Sequence, residues 1–148
     1  MAVSIAALVS RSSGSNARES ENRLEVVVVH TTVRGTLASL RTAAALAAGL
    51  AADIRLLVLE IVPYPLPVES PRVPLNFTQR RFSTLADTTR IDTRVEILVG
   101  RDDARMLDSA LKPRSLVVLD GRGKWWPTRT ARLARRLERL GHHVVFAK

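Results

Sequence analysis

The 148-residue sequence predicts an α/β domain built on a five-stranded parallel sheet, doubly wound, with strand order 3-2-1-4-5 and helices on both faces. Three observations carry that expectation. Short runs rich in Val, Ile and Leu alternate with longer stretches whose apolar residues recur at helical spacing. The short runs are apolar on both sides, as strands buried under helices must be. No cysteine is present, so neither disulfides nor thiolate metal sites organise the fold.

Residues 1–9 are apolar but lack the basic start of a secretory leader, and residues 10–23 are rich in Ser, Asn and charge. Residues 1–23 are therefore expected to form a flexible tail ahead of a single domain over 24–148. The run LEVVVV at 24–29 predicts a first buried strand. Residues 35–51 predict a helix, with Leu37, Leu40, Ala44, Ala47 and Ala51 spaced along one side. A second strand is expected over 54–62. Five prolines between Pro63 and Pro74 then exclude regular structure.

A helix is predicted over 76–90, with Phe77, Arg81, Phe82 and Leu85 on one side, and a third strand over 93–99, ending at Gly100. Residues 101–112 predict a short helix with Asp102 and Asp103 in its first turn, where acids favour the helix dipole, and Pro113 closes it. A fourth strand follows at 115–119. The last helix is expected over 128–140, with Gly141 as its C-terminal cap, and a fifth strand over 143–146. The chain has no uncharged run of membrane-spanning length, which makes a cytoplasmic protein the expectation.

The net charge of +9 is not spread evenly. Residues 121–148 hold Arg122, Lys124, Arg129, Arg132, Arg135, Arg136, Arg139 and Lys148 against Glu138 alone, a surplus of +7. Arg outnumbers Lys 20 to 3 along the whole chain, so a solvated arginine face on the last helix is the plain explanation. Nucleic-acid binding through that helix is the less favoured alternative.

In parallel sheets ligands bind at the carboxyl ends of the strands, where strand order reverses. Two such ends carry polar chemistry. His30, Thr31 and Thr32 follow the first strand; Asp120, Gly121, Arg122, Gly123 and Lys124 follow the fourth. Trp125 and Trp126 sit in that same loop, where covering the sheet end or a subunit contact is the expected role.

The order of an opening hydrophobic strand, an Ala-rich helix, a strand running into a Pro-rich loop, and later an LVVL strand with a Gly121-Arg122-Gly123 loop resembles the universal stress protein family. The likeness covers about 24–147 and implies a Rossmann-like domain that binds adenine nucleotides. The nucleotide-binding members end the first strand in Asp and follow the fourth with a Gly-x2-Gly-x9-Gly-Ser/Thr pattern. Here His30 stands at the Asp position, Asp120 at the first glycine and Gly123 at the second. Counting ten residues on from Gly123 reaches Leu133, not Gly; with a shortened loop, judged by distance to the last strand, Arg129 and Thr130 fall at the Gly-Ser/Thr pair.

Those departures imply a degenerate nucleotide loop. The candidate nucleotide- or anion-binding residues are His30, Thr31, Asp120, Gly121, Gly123, Lys124, Arg129 and Thr130. Val144, Val145 and Phe146 form an edge strand which, as in the family, implies a homodimer.

Spacing suggests no catalytic constellation and no metal site; His142-His143 lacks companion ligands. The expected function is a non-enzymatic regulatory or interaction domain. The alternative is a working binder of ATP or another adenine nucleotide through loop 120–130.

Overall fold

In the computed structural model the described residues are 6–12, 24–67, 75–87, 93–121 and 129–148. They form β1 (Ala6–Ser12), β2 (Glu25–Val29), α1 (Val33–Leu50), β3 (Asp53–Ile61) and α2 (Leu75–Asp87), followed by β4 (Thr93–Gly100), α3 (Asp103–Ala110), β5 (Leu116–Asp120), α4 (Arg129–Arg139) and β6 (His143–Ala147). Five strands are parallel, in spatial order β4-β3-β2-β5-β6. This is the doubly wound order expected from the sequence. None of the described helices is long and apolar enough to cross a membrane.

The sheet has a sixth strand that the sequence reading did not anticipate. Residues 6–12, expected to belong to a flexible tail, pair antiparallel with β4, Ala6 opposite Val99 and Ser12 opposite Thr93. The physical reason is the open edge of β4. Its unpaired N–H and C=O groups accept any segment able to run extended beside them, and AALVSRS contains neither Pro nor Gly. Residues 1–5 and 13–23 lie outside the described residues.

The central parallel strands β2, β3, β4 and β5 are largely apolar on both sides because helices cover both faces. Val26, Val28, Ile54, Leu56, Val58, Val95 and Ile97 pack with Leu40, Ala43 and Ala47 of α1 and Phe82 and Ala86 of α2. On the opposite face Val27, Val29, Leu57, Leu98, Val117 and Leu119 meet Met106 and Leu107 of α3 and Ala134 and Leu137 of α4. Alanines at the α1 contact let its axis approach the sheet closely.

Thr32 caps α1, its hydroxyl accepting from the Gly35 amide at 3.0 Å. Asp102 does the same for α3 through the Arg105 amide at 3.1 Å.

The α3/α4 face also contains a buried charge pair. Arg55 donates through Nε to Glu96 Oε2 at 2.9 Å, with its Nη2 2.8 Å from the same oxygen. Its Nη1 donates to the Ala110 carbonyl at 2.8 Å, at the C-terminus of α3, where a cation is favoured. Arg94 lies 3.7 Å from both Glu96 and Glu25. Sheet and helix are thus joined by a polar tie under a face that is otherwise apolar.

Candidate functional site

A cavity of about 580 Å³ opens at the carboxyl ends of β2 and β3. It lies beside the point where the chain, having placed β3 and β4 on one side of β2, places β5 on the other. Its size falls in the range of small-molecule sites, roughly 300–1,000 Å³. Val29, Val58, Leu59, Phe82 and Leu133 supply apolar wall, and Thr31, Thr32 and Thr130 supply hydroxyls. Charge comes from Arg81 on α2, Arg129 on α4, Glu60 on β3 and Asp103 on α3.

His30 sits at the end of β2, where its amide donates to the Leu57 carbonyl at 2.8 Å and extends the ladder by one residue. Its Nδ1 shares a 2.6 Å hydrogen bond with the buried Thr36 hydroxyl of α1. Phe82 meets the imidazole edge-on, the ring centroids 4.5 Å apart. Burial, and secondarily the Arg81 guanidinium, lower the His30 pKa from 6.5 to about 4. At neutral pH the group is an uncharged imidazole, at once a satisfied core histidine and part of the cavity wall.

That shift carries a pH dependence with a definite sign. Unfolded His30 takes up a proton near pH 6.5 and folded His30 only near 4, so the unfolded state binds more protons between those values. The stabilisation from His30 is complete above pH 6.5 and lost as pH falls toward 4. Thermal unfolding of wild type against His30→Gln should show the wild-type Tm falling more steeply over that window. Parallel curves would assign the acid sensitivity elsewhere.

Two further features bear on the polar chemistry of the cavity. The Thr31 hydroxyl oxygen is buried with no hydrogen-bond partner among the described residues. Arg81 stands over the Phe82 ring, 6.0 Å from its centroid, and has no carboxylate partner among the described residues. Arg129, by contrast, is held by Asp103, its Nη2 and Nε lying 2.8 and 3.1 Å from one carboxylate oxygen.

The structure brings four of the candidate residues together: His30, Thr31, Arg129 and Thr130. Asp120 and Gly121 are not among the lining residues. Asp120 instead lies against the first turn of α1, so that a Cβ on Gly35 would come within 2.7 Å of its Cγ. Its carboxylate belongs to the strand–helix packing, because position 120 alternates with Leu119 and faces α1. The Gly121 amide donates to the Ala147 carbonyl at 3.0 Å, and a Cβ there would lie 2.5 Å from that oxygen. This glycine is required by the β5–β6 ladder. Gly123, Lys124, Trp125 and Trp126 lie outside the described residues.

Thr32 stands with His30 and Thr31 at the first strand end in the sequence, though outside the expected binding set; Glu60, Arg81, Phe82 and Asp103 carry no sequence sign of a site. Arg81 and Phe82 read as one side of a helix, and nothing in their spacing shows that α2 borders the strand ends. Among the described residues no group of three His, Asp or Glu is gathered to hold a metal ion.

Scanned against protein-family models and against curated proteins, the sequence finds no match. Its fold does. The structure is similar to a solved universal stress protein in complex with cAMP, with a TM-score of 0.54 at 15% identity, over 85% of this chain and 97% of that one. The fold is the one the sequence resemblance implied.

Proposed function

We propose that the protein is a non-enzymatic regulatory module that binds an adenine nucleotide in the cavity at the ends of β2 and β3, and that it works as a homodimer. The observation that carries the binding reading is the cavity itself. It combines apolar walls with an Arg81 guanidinium and a buried Thr31 hydroxyl at the strand ends, neither of which has a hydrogen-bond or ion-pair partner among the described residues. Apolar surface suits a base, and a guanidinium suits a phosphate. The solved neighbour of the same fold holds cAMP, which supports a nucleotide here. Binding through a glycine loop of the family's form is not required, since the cations come from α2 and α4.

A binding rather than a catalytic role is supported by His30. Its ring is hydrogen-bonded to a threonine, not to a carboxylate, and with a pKa of about 4 it carries little proton traffic near neutral pH. Thermal unfolding with cAMP, AMP or ATP checks the reading directly. A nucleotide at 100 times its Kd adds roughly 2.7 kcal/mol, a rise in Tm of about 5–10 °C for a chain of this length. No shift with any of the three at millimolar concentration would remove nucleotide binding.

The dimer rests on β6. It is one of the two outer strands of the sheet, Val144 and Val145 are half-buried, and Phe146 is 45% exposed. Pairing with its own copy would satisfy the open edge and cover Phe146. Light scattering should give twice 16.3 kDa, and Phe146→Glu should return the monomer mass. A wild-type monomer at micromolar concentration would remove this part.

A further inference from the structure

The cavity at the strand ends adjoins a second space. A groove of about 630 Å³ between α3 and α4 is bordered by Arg101, Arg132, Arg136 and Asp102, and it shares Asp103, Arg129 and Leu133 with the cavity. The Arg129–Asp103 ion pair is therefore part of the wall common to both. We propose that this groove is a second subsite, taking the terminal phosphates of a nucleoside triphosphate whose base occupies the cavity. The inference rests on the cavity holding a nucleotide and names where a longer anionic tail goes.

Charge decides the assignment. Along the cavity wall two guanidiniums, Arg81 and Arg129, face two carboxylates, Glu60 and Asp103. A multiply charged tail finds no net positive field there. Along the groove four guanidiniums, Arg101, Arg129, Arg132 and Arg136, stand against Asp102 and Asp103 in the lining and Asp108 beside Arg136, which leaves one cation in excess. Three of the four are already engaged. Arg101 donates to the Val62 and Leu66 carbonyls, Arg129 to Asp103 and Arg136 to Asp108.

Arg132 has no partner among the described residues and is exposed beside them. It is the guanidinium free to take a phosphate as a fork-shaped donor.

The dividing wall is one a phosphate can open. The Arg129 side chain is 69% exposed, and ion pairs in such positions hold weakly. A phosphate that draws Arg129 away from Asp103 gains the cation and meets a repelling carboxylate, so Asp103 becomes the element that discriminates against long tails. AMP, confined to the cavity, meets Arg132 in neither state.

Calorimetric titration of the full chain with AMP and ATP tests the assignment, using wild type, Arg132→Ala, Asp103→Asn and the charge-matched control Arg135→Ala. Arg135 lies on the same helix but borders neither space. The expected result is that Arg132→Ala weakens ATP about tenfold or more while AMP stays within about twofold. Arg135→Ala should leave both nucleotides nearly unchanged, and Asp103→Asn should tighten ATP relative to AMP.

An unchanged ATP-to-AMP ratio in Arg132→Ala, or an equal loss in Arg135→Ala, would overturn the groove while leaving the cavity intact. If neither nucleotide binds wild type, both readings fall together.

Discussion

Glu96→Ala should destabilise the protein by about 3–5 kcal/mol, the largest loss expected from any single charge removal here. Glu96 and Arg55 are 8% and 6% exposed, and the carboxylate is the counter-ion to two contacts of the Arg55 guanidinium. Removing it leaves Arg55 buried and charged with only the Ala110 carbonyl to satisfy it, and leaves Arg94 without one of its two nearby carboxylates. Charge is far more expensive to strand in the interior than to pair there.

The double variant Arg55→Met with Glu96→Leu should recover most of that loss, because two apolar groups of similar volume need no counter-ion. Chemical denaturation of wild type, the single and the double variant checks this. Equal destabilisation of single and double variants would mean that packing volume, not unpaired charge, sets the loss.

Phe82→Ala should lower stability by about 3–5 kcal/mol and alter the cavity at the same time. Phe82 is 4% exposed, belongs to the buried cluster that includes Val28, Val58 and Leu40, and meets the His30 ring edge-to-face. Deleting it removes buried apolar area and admits water beside the imidazole. Since burial is the larger cause of the low His30 pKa, that pKa should rise from about 4 toward 6.5. NMR titration of the imidazole reads this directly. The acid-dependent loss of stability should then shrink, because the folded and unfolded pKa values approach each other. A His30 pKa that stays near 4 in Phe82→Ala would locate the cause in Arg81.

The two variants probe parts of the molecule that were unequally visible beforehand. Phe82 is legible as a core residue from helical spacing alone. Arg55 is not, because a lone basic residue inside the apolar run DIRLLVLEI gives no hint that its partner is Glu96 on the next strand. Ladder register, which sets Leu57 opposite Glu96 and Arg55 opposite Arg94, produces that pairing. Among candidate site residues the division is similar. His30 and Thr31 were found because the end of the first parallel strand is a predictable place for a ligand. Asp120 is at an equally predictable strand end, yet its side chain turns to Gly35 and away from the cavity. One residue of alternation along a strand is enough to make that difference.

The reversal of strand order beside β2 is what the family resemblance implies; the residues alone give the alternation of strands and helices from residue 24 onward, the burial of the parallel strands on both sides and the concentration of positive charge near the last helix. These are properties of periodicity and composition, which act over a few residues and need no knowledge of the rest of the chain. Contacts between distant elements establish that residues 6–12 close the edge of β4, that α2 brings Arg81 and Phe82 to His30, and that Arg129 is held by Asp103 on a neighbouring helix. Each of those contacts exists because sheet register and helix placement put two surfaces within a few ångströms, a geometry that no local spacing encodes.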